Sequence, residues 1–176
     1  MITAVSMIPD ENLGVVVLTN GAETPYMAAT YYTLDKLLGV DGKDWSAEYL
    51  KRMKQRPAVD PRIKRAIEAR VEGTNPTLSI ENYAGNYHSD IYGEIKVELE
   101  GNALSLSFEH APELSASLNH WHYDVWEIDW DNIHAWFDFG TLKFDLDNNL
   151  NIVGMDFNVP NRDIFFEELK PVRVRK

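Results

Sequence analysis

Ile95-Lys96-Val97-Glu98-Leu99-Glu100-Gly101-Asn102-Ala103-Leu104-Ser105-Leu106-Ser107-Phe108-Glu109 is the stretch that decides the fold class. Ile95, Val97 and Leu99 alternate with charged residues, Gly101-Asn102 turns the chain, and Leu104, Leu106 and Phe108 alternate with serines and a glutamate. A period of two with one dry and one wet face is the pattern of an antiparallel hairpin. The pattern spreads in both directions. A first strand is expected near Tyr83 to Ser89, and further strands at 115–122, 124–130, 135–139, 141–146, 150–158 and 163–169. Asp131-Asn132, Gly140, Asp147-Asn148-Asn149 and Pro160-Asn161 separate them. About eight or nine short antiparallel strands in sequence order can close as an up-and-down barrel or stack as a sandwich, and closure removes the exposed edges. The fold class expected is therefore mainly β, with an eight-stranded antiparallel barrel over residues 77–176.

Upstream of the barrel the pattern is different. Ile2-Thr3-Ala4-Val5-Ser6-Met7-Ile8 and Leu13-Gly14-Val15-Val16-Val17-Leu18-Thr19 read as two apolar strands joined by the turn residues Pro9-Asp10-Glu11-Asn12. Thr24 is placed to cap a helix with Pro25 in its first turn, and Met27, Tyr31, Leu34 and Leu38 recur at helical spacing until Gly39. One hairpin and one helix do not make a core, and the run Val15-Val16-Val17-Leu18 asks for cover on both faces. Asp44-Trp45 opens a second helical stretch that ends at Pro57. Asp60-Pro61 then starts a third, with Ile63, Ile67 and Val71 along one side. Eight basic residues between 51 and 70 give this segment the look of an amphipathic linker, and Gly73-Thr74-Asn75-Pro76 marks its end. The expected organisation is a hairpin and helix over 1–45, a helical linker over 46–76 and a barrel over 77–176.

The words Ser6-Met7-Ile8-Pro9-Asp10-Glu11-Asn12-Leu13-Gly14-Val15-Val16-Val17-Leu18-Thr19-Asn20, then Leu34-Asp35-Lys36-Leu37-Leu38-Gly39 and Asp44-Trp45, resemble the C-terminal end of the transpeptidase-like domain of serine β-lactamases and penicillin-binding proteins. The resemblance is to the branch that includes class C enzymes and D-aminopeptidase-like serine hydrolases. Farther on, Tyr83-Ala84-Gly85-Asn86-Tyr87, Tyr92-Gly93 and Leu118-Asn119-His120-Trp121-His122-Tyr123-Asp124 resemble the lipocalin-like domain appended to some of these hydrolases. Where that family continues with Thr-Phe, this chain has Val125-Trp126. The resemblance implies that the hairpin and helices are the remainder of a β-lactamase-like α/β domain, and that the barrel is an accessory domain shaping active-site access or subunit docking. The family's Ser-x-x-Lys, Tyr-x-Asn and Lys-Thr-Gly or His-x-Gly motifs do not occur in this sequence. Acyl transfer needs a serine with a basic neighbour and an oxyanion site, so no catalytic residue is assigned and no hydrolase activity is expected. The chain reads as the C-terminal fragment of a larger serine hydrolase, with that enzyme's catalytic domain as its partner. The competing reading is a free-standing barrel that binds a small ligand.

Charge is unevenly placed. Residues 1–75 carry ten acidic and ten basic side chains, whereas residues 76–176 carry eighteen and seven, so the whole net charge of -11 lies in the second part. Such a field repels phosphate backbones and anionic headgroups, which argues against nucleic-acid or membrane-surface partners. The absence of cysteine excludes disulfides and thiolate chemistry. The compartment is left open by the residues; the resembled enzymes are commonly periplasmic or secreted. The apolar hairpin 2–19 is expected to associate, through pairing with a second copy or packing on other parts of the chain.

Residues 121–139 carry seven aromatic rings. They can line a pocket for an apolar group or simply fill a small barrel. The candidate ligand-binding residues are His120, Trp121, His122, Tyr123, Trp126 and Trp136. Strand alternation places His120, His122 and Asp124 on one side, and two imidazoles with a carboxylate can ligate a transition metal. Three donors from one straight strand seldom converge on an ion, because alternate positions lie about 7 Å apart. No metal or other cofactor is therefore expected. Carboxylate pairs such as Glu127 with Asp129 are too common in acid-rich strands to argue acid-base catalysis, and no glycine-rich phosphate loop is present.

Overall fold

A computed structural model of the chain describes residues 2–21, 25–57, 59–134, 136–161 and 163–174. The chain divides into two units, residues 1–58 and 59–176. The segment 46–76 is thus shared between them.

In the first unit, β1 (Thr3–Ile8) and β2 (Leu13–Leu18) pair antiparallel with Val5 opposite Val16 and Met7 opposite Gly14. A single turn of 3-10 helix over Pro9–Glu11 connects them, and Asn12 closes it in the left-handed region at φ 53°. Helix α1 (Pro25–Leu37) packs against one face of this hairpin and buries Val15, Thr30 and Leu34 there. The Thr24 cap lies outside the described residues. Helix α2 (Trp45–Lys54) starts where the Asp44 carboxylate accepts from the Ala47 N–H at 2.8 Å. It joins α1 through Trp45 stacked on Tyr31 at 4.7 Å and through the indole N–H of Trp45, which donates to Asp35 at 2.5 Å. The other face of the hairpin is bare. Val5, Met7, Val16 and Leu18 are each 61–75% exposed.

In the second unit, α3 (Pro61–Glu68) is capped by Asp60, whose carboxylate accepts from the Arg62 N–H. Eight strands follow: β3 (Gly85–Ser89), β4 (Gly93–Glu100), β5 (Ala103–Phe108), β6 (Ala111–His122), β7 (Val125–Trp130), β8 (Thr141–Leu146), β9 (Ile152–Asn158) and β10 (Val172–Arg173). They form a closed barrel in sequence order, with β10 between β9 and β3. The eight-stranded antiparallel barrel is as expected, but two strands are not. Residues 136–139 form no strand, with bends at 136 and 138, and 166–168 form a turn of 3-10 helix; Phe137 and Phe166 bury inward from these segments instead of alternating along a ladder. Closure comes from the two residues of β10, an element too short for periodicity to reveal.

The odd–even pattern of the strands fills the barrel. Tyr87, Ile95, Leu104, Leu106, Leu142 and Phe144 are at most 1% exposed. Their charged and serine neighbours face outward. No described helix is long and apolar enough to cross a membrane.

Candidate functional site

The stretch His120-Trp121-His122-Tyr123-Asp124 lies at the end of β6 and in the turn to β7 (strands at 111–122 and 125–130). Pairing is regular up to His120 opposite Trp126. The next pair is His122 opposite Val125, so Trp121 is an extra residue on β6 and forms a bulge. Tyr123 then takes φ 46° in the tight turn. Strict alternation therefore fails here, and the expectation that His120, His122 and Asp124 share one side is corrected. Each finds a different partner, and no group of metal-ligating side chains exists among the described residues.

What this turn holds is the chain that leads into the barrel. Arg70 Nε donates to the Trp121 carbonyl at 3.2 Å, with its guanidinium 4.2 Å from the Trp121 ring centre. The Val71 N–H donates to His122 Nδ1 at 3.1 Å. The Tyr123 N–H donates to Thr74 Oγ1 at 2.9 Å. Asp124 receives three donors: the Thr77 N–H at 3.0 Å, the Thr77 hydroxyl at 2.6 Å and the Tyr83 hydroxyl at 2.5 Å. Residues 70–77 are thereby clasped to four successive residues of the β6–β7 turn, Trp121 to Asp124.

The electrostatics follow from these bonds. Burial alone would raise the Asp124 carboxyl, but the hydrogen bonds from Thr77 and Tyr83 outweigh it and hold it below its ordinary value. Burial, with the hydrogen bond to Asp124, pushes the Tyr83 hydroxyl up to about 12. It stays a donor. Burial, then the charges of Arg70 and His120, lower the His122 imidazole and favour the neutral ring that can accept from Val71.

Of the six candidate ligand residues, Trp121, His122 and Tyr123 belong to this clasp. His120 donates from Nε2 to the Tyr123 carbonyl at 2.9 Å and meets Trp126 edge-on at 5.4 Å. Trp126 is buried at the adjoining end of the packed interior, its indole N–H without a partner among the described residues. Trp136 is apart from these five.

Trp136 lines a cavity of about 650 Å³ at the other end of the barrel, where β6 begins and β7 ends. Phe108, Leu114 and Phe166 contribute apolar wall, and Phe137 stacks on the cavity-lining His134 at 4.7 Å. Trp130 and Phe166 sit edge-on to Phe137 at 4.9 and 5.1 Å. The rim is unusually apolar for loops: Ile91, Ile133, Ile164 and Phe165 are exposed. Arg70, Thr74 and Thr77 in the clasp, and Ile133, Ile164 and Phe165 at the mouth, escape a reading by periodicity, since all lie outside strands. The signal available was apolar residues inside turn wording, as in Asp131-Asn132-Ile133-His134.

A family model described as a domain of unknown function (DUF3471) matches residues 69–171. The chain belongs to the DUF3471 family. No curated protein matches it significantly. The DUF3471 match opens one residue before Arg70, so both sides of the clasp fall inside it, as do the residues of the cavity. It leaves the hairpin, α1, α2 and α3 outside.

Proposed function

We propose that this chain is the non-catalytic C-terminal part of a β-lactamase-family serine hydrolase, in which the barrel shapes access to the active site or docks subunits. The observation that carries the reading is the bare hairpin face. Val5, Met7, Val16 and Leu18 stand side by side on the face of β1 and β2 that α1 does not cover. Covering each would stabilise the protein by about 1–2 kcal/mol, so the surface has the character of a sheet interior awaiting its other layer. The wording of residues 6–20 resembles the strands that lie inside a transpeptidase-like domain, which supports that domain as the missing layer. The clasp around Asp124 supports an accessory role as well, since it secures the segment through which the barrel is joined to the preceding unit.

The barrel interior beside His120 and Trp126 is filled by side chains, which weighs against a ligand held there. Two measurements test the proposal. Purified chain given nitrocefin or a D-alanyl anilide is expected to show no turnover, and the coding frame upstream of Met1, or an adjacent frame, is expected to encode a Ser-x-x-Lys followed by a Tyr-x-Asn. Turnover by the chain alone, or the absence of both motifs from those frames, would overturn it.

A further inference from the structure

We propose that the barrel mouth remote from the clasp is a binding site for an organic cation with an apolar body, an alkyl or aryl amine or a quaternary ammonium. The cavity there, about 650 Å³, has the size of a small-molecule site. Its wall is aromatic and aliphatic, built on Phe108, Leu114, Trp136, Phe137 and Phe166. Among the described residues the lining holds three carboxylates, Glu113, Asp163 and Glu168, with the imidazole of His134, and no lysine or arginine. Aromatic faces and carboxylates attract the same guest, a positive charge on an apolar body.

One further feature agrees. Residues 76–176 carry the entire net charge of -11, so the field around the mouth raises the local concentration of cations and repels anions.

The test uses the full chain and three probes of one shape: 4-phenylbutylamine, 4-phenylbutanol and 4-phenylbutyrate. Isothermal titration is expected to show the amine binding roughly tenfold more tightly than the alcohol, with the anion weakest, and added salt narrowing the gap. The double variant Glu113→Gln/Glu168→Gln, both exposed positions, is expected to lose that tenfold preference while retaining alcohol binding. Amide and indole chemical shifts are expected to move at Trp136 and Ile164 and to stay put at Trp121 and Trp126. Equal affinity for amine and alcohol, preference for the anion, no saturable binding of any probe by about millimolar concentration, or shifts centred on the clasp would each overturn the proposal. So would loss of self-association in Ile133→Ser/Phe165→Ser, which would make the mouth a protein interface.

Discussion

Asp124 is the residue on which the clasp turns, because a single carboxylate satisfies three donors from two different segments. Asp124→Ala removes a charge-assisted acceptor and leaves the buried Tyr83 hydroxyl with the Leu78 N–H as donor but without its acceptor, so a loss of about 2–4 kcal/mol is expected in urea unfolding. Tyr83→Phe should cost less, about 1–2 kcal/mol, since the ring and its contacts with Trp126 and Phe144 remain. The pH dependence has a defined sign. Asp124 titrates below its ordinary 3.8 in the folded chain, so its contribution is complete above that value and is lost as pH falls through the lower folded value. His122 titrates below its ordinary 6.5 when folded, so its contribution is complete above 6.5 and declines as pH falls from there towards the folded value. Both losses run towards acid. Unfolding midpoints measured from pH 7 downwards should therefore fall less steeply below about pH 4 in Asp124→Asn, and less steeply below about pH 6.5 in His122→Gln, than in the parent chain.

At the scale of elements, the barrel's weakest seam is β10. Two residues bridge β9 and β3, through Val172 opposite both Gly154 and His88. The seam is reinforced by the Met155 N–H, which donates to the Pro171 carbonyl at 3.0 Å, and by Arg173, which donates to the carbonyls of Asn82 and Ala84. Gly154 is where the two segments approach most closely: a Cβ added there would lie 2.7 Å from the Pro171 oxygen. That oxygen cannot retreat without giving up the Met155 bond. Gly154→Ala should thus destabilise the barrel by about 2–4 kcal/mol and speed amide exchange at Met155 and Val174 before it alters exchange in β5 or β6. The first hairpin carries the opposite liability, an intact ladder with an uncovered face. Light scattering of the isolated chain is expected to show association that Val5→Lys/Val16→Lys abolishes; a parent chain that is monomeric at all concentrations would remove the hairpin as the contact.

For the molecule as a whole, the division at residue 58 predicts two unfolding events. Residues 59–176 expressed alone should melt at the temperature of the barrel transition in the full chain, as followed by tryptophan fluorescence; a large drop would mean that the first unit supports the barrel. Much of this architecture was legible beforehand. The alternation of Ile95, Val97, Leu104 and Leu106, the turn at Gly101-Asn102 and the caps Asp44 and Asp60 depend on near neighbours in the chain, and each appears where local chemistry puts it. The candidate site was less so. Trp121 and His122 stood out by wording, but a bulge redirected them to Arg70 and Val71, about fifty residues away in sequence. Phe137 and Phe166, expected on strands, bury from loops, and both line the cavity at the barrel mouth. Local pattern by itself determined a mainly β chain of short antiparallel strands, because side-chain alternation is a property of neighbouring residues; that the strands close as a barrel was decided by the pairing of β10 with β9 and β3. Which side chains meet at the clasp and at the mouth was decided by tertiary structure alone, because strand register, bulges and loop burial are settled by contacts between distant segments.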